Sequence, residues 1–221
     1  MAGMRVTAVL SSVAAILSVA ASIGPTAVAT AADCPDVEVI FARGRFEPPG
    51  IGRIGDAYVG ALRAKTPRSV GVYGVNYIAD WDIAAGANDM SRHLQYLASN
   101  CPNTRLVPGG YSLGAAVTDV VLGATESQFG FTNPLPASVA PHVAAVAVFG
   151  NGTRSIFGPV SATNNPLYGP KTIDQCNVDD PICNGIDPST FVGNWSSHLQ
   201  DAYIDSGLVD QAAQFTADRL Q

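Results

Sequence analysis

The stretch "LVPGGYSLGAAVTDVVLGA", Leu106 to Ala124, decides how this chain is read. Its first part is an apolar run, its last part spaces small and β-branched residues as a helix does, and Gly110-Tyr111-Ser112-Leu113-Gly114 is the junction. Two explanations compete there. A sharp strand-to-helix turn lifts the hydroxyl of its central serine above a sheet and aims backbone N–H groups at a developing oxyanion. Alternatively, the glycines serve only close packing and Ser112 is an ordinary helix N-cap. In a chain with 22 glycines among 221 residues the spacing alone is moderately specific, so context has to choose.

The context is an alternation of short apolar runs and helical patterns. Strands are predicted at Val37–Arg43, Ser69–Tyr77, Thr104–Gly110, His142–Gly150 and Lys171–Asp174, most of them too uniformly apolar to own a solvent face. Helices are predicted at Ile54–Lys65, Ala85–Asn100, Leu113–Ala124 and Leu208–Leu220. Right-handed βαβ crossovers follow, giving an α/β three-layer sandwich: a central, mostly parallel five-stranded sheet with helices on both faces. Ligands of such sheets bind at the carboxyl ends of the strands. The Gly/Pro/Asn-rich stretch Asn151–Pro170 reads as a long irregular excursion between the fourth and fifth strands.

Residues 1–32 differ from the rest: Arg5 is followed by the apolar "VTAVLSSVAAILSVAASIG", and Ala27-Val28-Ala29 and Ala29-Thr30-Ala31 offer small-residue cleavage sites. A signal peptide is expected there, with a single domain over 33–221. The mature protein would be a monomer without an integral membrane span, secreted to the extracellular space or held at the cell envelope. Hydrophobic residues make up 47% and charged ones 14%, enough for one substantial core. The formal charge of −6 becomes −7 once Arg5 leaves, and no Lys/Arg cluster stands out, which argues against a nucleic-acid partner.

An exported chain with four cysteines, Cys34, Cys101, Cys176 and Cys183, suggests two disulfides in one of three pairings. Cys34 and Cys101 precede the first and third strands, so a parallel sheet puts both at its amino-terminal edge. Cys176 follows the last strand, and Cys183 is near enough to close a short loop at the opposite edge. No cysteine has the spacing of a metal ligand, and no metal is expected.

Gly50-Ile51-Gly52-Arg53-Ile54-Gly55 matches the dinucleotide fingerprint G-x-G-x-x-G. The mechanism fails, because the first glycine should close the turn directly after a strand and "GRFEPP" intervenes. That segment reads as a loop leading into a helix.

A neutral serine needs a base, itself oriented by a carboxylate. Of three histidines, His93 lies within a helix and suits a surface role, and His142 precedes a strand at the wrong edge. His198 follows the last strand and is free to fold back over the ligand edge. Asp174, Asp179, Asp180 and Asp187 all lie between Ser112 and His198, the chain order such sites use. Spacing narrows the choice to the loop holding Asp179 and Asp180 and goes no further.

Taken together, "VIFARG" at the first strand, "GGYSLGA" at the turn, "CNVDDPIC" and the later "HL" resemble the cutinase family of α/β-hydrolases. The resemblance implies a serine esterase with catalytic Ser112, Asp180 and His198, disulfides Cys34–Cys101 and Cys176–Cys183, and no cofactor. It also implies an oxyanion hole from the N–H groups of Leu113 and Arg45, and Arg45 is a departure, since relatives commonly carry Ser or Thr there. Its peptide N–H remains available while the hydroxyl donor is missing; its guanidinium could instead approach a substrate anion. Leu113 replaces a common Gln, which matters less because the donor is the peptide N–H.

Ile186, Phe191, Val192 and Trp195 precede His198 and are candidates for an apolar substrate wall, though such residues also serve to anchor a loop. The expected reaction is hydrolysis of short- to medium-chain carboxylic esters. Two further readings stand: a lipase, phospholipase or thioesterase using the same residues, and a catalytically impaired exported binding protein, for which Arg45 is the pointer.

Overall fold

The computed structural model describes residues 1, 3, 34–158, 165–185 and 193–221; the leader region and Ile186, Phe191 and Val192 lie outside them. From Cys34 onward the chain forms one compact unit. Its elements run β1 (Val37–Ala42), α1 (Gly52–Lys65), β2 (Val70–Gly74), α2 (Ile83–Asn100), β3 (Arg105–Tyr111), α3 (Leu113–Gly123), β4 (Val146–Phe149), α4 (Arg154–Phe157), β5 (Thr172–Gln175), α5 (Gln200–Asp205) and α6 (Leu208–Ala217).

The strands form one sheet in the order β2-β1-β3-β4-β5, and all four ladders are parallel. Alternate side chains of each strand feed two cores. Val37, Val39 and Phe41 of β1 pack with Ile54, Tyr58 and Leu62 of α1 and Ala212 and Ala213 of α6. Ile40 and Ala42 of the same strand pack with Met90 and Leu94 of α2 and Val117 and Val121 of α3. A strand buried on both faces has no reason to alternate polar with apolar, which explains the uniform runs in the sequence.

Strand order places the site. The sheet grows from β1 outward to β2, then reverses through α2 to lay β3 on the other side of β1. The carboxyl ends of β1 and β3 therefore flank a crevice that no crossover covers. Ser112 ends β3, and Arg43–Arg45 leave β1 beside it.

Two expectations are corrected. The strand predicted from His142 begins only at Val146: residues Ala137–His142 form a 3₁₀ turn containing Pro141, and Val143 makes an isolated bridge to Leu106. The apolar run there reports burial, which a strand and a buried approach to a strand share. The last helical stretch is preceded by α5, whose six residues are too few to show a period. The decoy glycine motif is a loop that enters α1 at Gly52.

Both disulfides join the expected pairs. Cys34–Cys101 ties the amino-terminal edge ahead of β1 to the end of α2. Cys176–Cys183 closes its loop directly after β5, at the edge where Ser112 lies.

Candidate active site

The glycines on either side of Ser112 answer the question raised by the motif. A Cβ on Gly114 would lie 1.9 Å from the Ala42 carbonyl oxygen, and one on Gly110 would lie 2.2 Å from that of Gly114. The first turn of α3 thus sits against the end of β1, at a distance only glycines allow. Ser112 between them has φ 53° and ψ −113°, an unfavourable conformation for a residue with a side chain. Its N–H is anchored to the Phe149 carbonyl at 2.9 Å, and its own carbonyl accepts the first helical bonds from Ala115 and Ala116. The hydroxyl makes no capping bond to α3. It meets His198 instead, with Oγ 2.9 Å from Nε2.

His198 ends a 3₁₀ turn, Trp195–His198, and is 3% exposed. Its Nδ1 lies 2.7 Å from Oδ2 of Asp180, which is 0% exposed. That contact assigns the tautomer: with Nδ1–H donating to the carboxylate, Nε2 is left to accept from the serine. Asp180 is fully engaged, since Oδ1 accepts the Ile182 N–H at 2.7 Å and Oδ2 also accepts the Tyr203 hydroxyl. The imidazole is held from behind as well. Tyr111, stacked on it with centroids 5.4 Å apart, donates its hydroxyl to the His198 carbonyl. Burial pushes the hydroxyls of both Tyr111 and Tyr203 well above the usual phenol range, so both stay donors. Gly150, at φ 56°, passes close enough that an added Cβ would touch His198 Cε1 at 3.0 Å.

Sequence reasoning overlooks Tyr203, whose signal is its place five residues after His198, and Tyr111, which sits inside the serine motif itself. Asp179, the alternative acid, is exposed. Trp195 stands beside His198, ring centroids 5.1 Å apart, and remains 42% exposed.

The N–H groups of Arg45 and Leu113 donate to no acceptor among the described residues. The Arg45 side chain corrects the notion that it seeks a substrate anion. Its Nε and Nη2 lie 3.1 and 2.9 Å from Asp80 Oδ1, and its guanidinium is sandwiched between Phe46 and Trp81, 4.2 and 3.6 Å from their ring centres. A cation so neutralised and stacked is a clamp between two loops. The preceding Arg43 is buried and donates to the carbonyls of Glu47, Val75 and Tyr77, which fixes the path of the Arg45 loop.

The other histidines are elsewhere. His93 stacks on Tyr73 at 3.6 Å and meets Glu38 at 2.7 Å through Nε2, with no hydrogen bond to its second nitrogen among the described residues. His142 ends the 3₁₀ turn at the amino-terminal edge.

The family model for cutinase matches residues 33–220. The chain belongs to the cutinase family. It is 59% identical over 199 residues to the probable carboxylesterase Culp2 of Mycobacterium tuberculosis, covering 90% of this chain and 85% of that one. It is 48% identical over 211 residues to phospholipase Culp4 of the same species, covering 94% and 87%. Among solved structures, a Trichoderma reesei cutinase in complex with a C11Y4 phosphonate inhibitor matches with a TM-score of 0.64 at 26% identity, over 85% of this chain and 78% of that one. The cutinase fold, an α/β-hydrolase, thus spans the described body of the protein.

Proposed function

We propose that the protein is a secreted serine carboxylesterase that hydrolyses short- to medium-chain carboxylic esters through an acyl-enzyme on Ser112. The observation that carries this reading is the unbroken hydrogen-bonded chain from the strained Ser112 hydroxyl through His198 to Asp180. Ser112 Oγ attacks the ester carbonyl while its proton passes to His198 Nε2. Asp180 holds the resulting imidazolium. The N–H groups of Leu113 and Arg45 receive the oxyanion, a contribution worth about a hundredfold to a thousandfold per donor. His198 returns the proton to the departing alcohol, then takes one from the water that releases the acid and restores Ser112.

A half-buried serine, with Trp195 exposed beside the base, suits small and medium esters. A phospholipase reading of the same site draws support from the 48% identity to Culp4. Rates on a chain-length series of nitrophenyl esters, set against phospholipid vesicles and acyl-CoA, separate the two. The expected result is highest kcat/KM on the short and medium esters, labelling by a fluorophosphonate, and loss of at least about a thousandfold in kcat for Ser112→Ala. Folded wild-type protein that takes no label and equals Ser112→Ala in rate would identify an impaired hydrolase and end the esterase reading.

Residues 1–32 act in this reading as a cleaved leader, in keeping with two disulfides, which persist in oxidising compartments. Among the described residues no helix is long and apolar enough to cross a membrane. Amino-terminal sequencing of protein recovered from culture medium should begin within a few residues of Ala31; recovery only of the uncut, cell-bound chain would refute export with cleavage.

A further inference from the structure

The decoy glycine motif at the head of α1 does receive an anion, supplied by the chain itself: the carboxylate of Glu47. Its Oε1 accepts the N–H of Arg53, the second residue of α1, at 2.9 Å. A Cβ on Gly52 would lie 2.8 Å from the carboxyl carbon, which leaves room only for glycine there. The positive end of the helix suits the charge. The other oxygen, Oε2, accepts the Gly44 N–H at 2.7 Å. Gln200, two residues after His198, adds a longer contact to Oε1 at 3.4 Å. One side chain thus joins the head of α1 to the loop that leaves β1.

That loop is a turn, Gly44-Arg45-Phe46-Glu47, closed by the Glu47 N–H on the Gly44 carbonyl at 3.3 Å. Phe46 has φ 62°, a value for which turns normally use glycine. An aromatic keeps such a conformation only when its surroundings impose it. Three of the four N–H groups in the turn are spent: Gly44 on the Glu47 carboxylate, Phe46 on the Ala79 carbonyl at 2.7 Å, and Glu47 on Gly44. Only the Arg45 N–H has no acceptor among the described residues.

The direction of that N–H follows from its peptide. The bond joining Gly44 to Arg45 is trans, so its N–H points opposite to its carbonyl. With the carbonyl turned inward to Glu47, the Arg45 N–H faces out of the turn. The same peptide lies against the serine corner: a Cβ on Gly44 would be 2.5 Å from Tyr111 Cδ1, and one on Gly114 would be 2.7 Å from the Arg43 carbonyl oxygen.

We infer that Glu47 is a positioning residue for the proposed ester hydrolysis: it holds Gly44 by both its N–H and its carbonyl, and so keeps the Arg45 N–H on the oxyanion. The role rests on the esterase reading and acts through the backbone, without contact to substrate. A carboxylate is required because Gly44 and Arg53 each need an acceptor oxygen. An amide has one oxygen and would set its NH2 against the other N–H. Donors stabilise an oxyanion best when they are in place before the charge develops, so a loosened turn costs rate rather than binding.

The test compares wild type, Ser112→Ala, Glu47→Gln and Glu47→Ala on nitrophenyl butyrate. It adds equilibrium inhibition by butylboronic acid, whose tetrahedral adduct on Ser112 sets an oxygen in the oxyanion hole. The expected loss in kcat is about tenfold for Glu47→Gln and up to about a hundredfold for Glu47→Ala, no more than the cost of deleting a donor outright. KM should stay within about twofold, since acylation and deacylation pass through the same oxyanion site and slow together. Boronate inhibition should weaken by the factor that kcat loses, a coupling that a purely structural role does not produce. A cooperative melt checks that each variant is folded, and Glu47→Gln, which keeps the volume, decides the matter where Glu47→Ala unfolds. An unchanged kcat in the folded variants overturns the proposal. So does a raised KM at constant kcat, boronate inhibition unaltered while kcat falls, or a glutamine variant that does not fold, which would make Glu47 an anchor of the fold alone. Wild type no faster than Ser112→Ala ends the esterase reading and this role with it; active wild type beside indifferent Glu47 variants ends the role alone.

Discussion

Two carboxylates, the buried Asp180 and the half-buried Asp119 of α3, are treated differently. Asp180 spends both oxygens, on the imidazole of His198, the hydroxyl of Tyr203 and the N–H of Ile182. Asp119 spends one, on Asn151 and Thr153, and keeps the other unused. The first is tied to a group that becomes a cation during the proposed reaction, so its charge has a use. The second is surrounded by neutral donors, with the nearby Asp174 adding repulsion. Burial pushes the Asp119 carboxyl up to about 6, outweighing the two hydrogen bonds that favour its ionised form. Burial alone, then, does not make a catalytic acid: what surrounds the carboxylate decides whether its charge can be used.

Replacing Asp180 by Asn is the strongest way to press the difference. The amide keeps the volume, yet it no longer demands the Nδ1–H tautomer, and Nε2 loses its ability to accept the serine proton. A drop of about ten-thousandfold in kcat on nitrophenyl butyrate is expected with the fold retained. A loss of less than tenfold would mean that Asp180 is merely structural. Asp119→Asn probes the other carboxylate through stability. Because the folded value, about 6, lies above the ordinary 3.8, folding favours the protonated form. That contribution is complete below about pH 4 and disappears as pH rises through 6, amounting to up to about 3 kcal/mol by pH 7. Urea unfolding of both proteins from pH 4 to pH 7 should therefore show the variant gaining on wild type as pH rises. A difference that does not change with pH would refute the assignment.

How much of this is legible in the sequence depends on how far apart the partners are. The junction at Ser112 is local: an apolar run, a glycine, a serine and a helical pattern within twenty residues determine where the strand stops. The approach of His198 follows from topology, because only one histidine trails the last strand. The choice between Asp179 and Asp180 does not follow, since their loop has no period, and neighbours there differ only in that one is exposed and the other buried. The Asp119 cluster is hidden further still. Its partners Asn151 and Thr153 come from a glycine-rich segment more than thirty residues away, with no motif to announce them. The approach to β4, Val143 to Ala145, shows why the predicted fourth strand begins too early: apolar residues reach the sheet before the ladder forms.

Tyr203 offers the finest distinction between the two carboxylates, because it belongs to the support of Asp180 and has no counterpart at Asp119. Its ring packs edge-on against Tyr111 and Phe149 in the core, and only its hydroxyl reaches the acid, the Asn177 N–H and the Cys183 sulfur. Tyr203→Phe leaves the ring and removes these contacts. Asp180 would still accept from His198 and Ile182, so the imidazole keeps its tautomer but loses some of its fixed orientation. The expected cost is about tenfold in kcat, roughly 1.4 kcal/mol, with KM unchanged because the hydroxyl is buried behind the base and out of reach of substrate. A rise in KM at constant kcat would instead place Tyr203 in substrate binding. No change in either would mean that two hydrogen bonds already hold the carboxylate as firmly as three, and that the extra donor serves the fold alone.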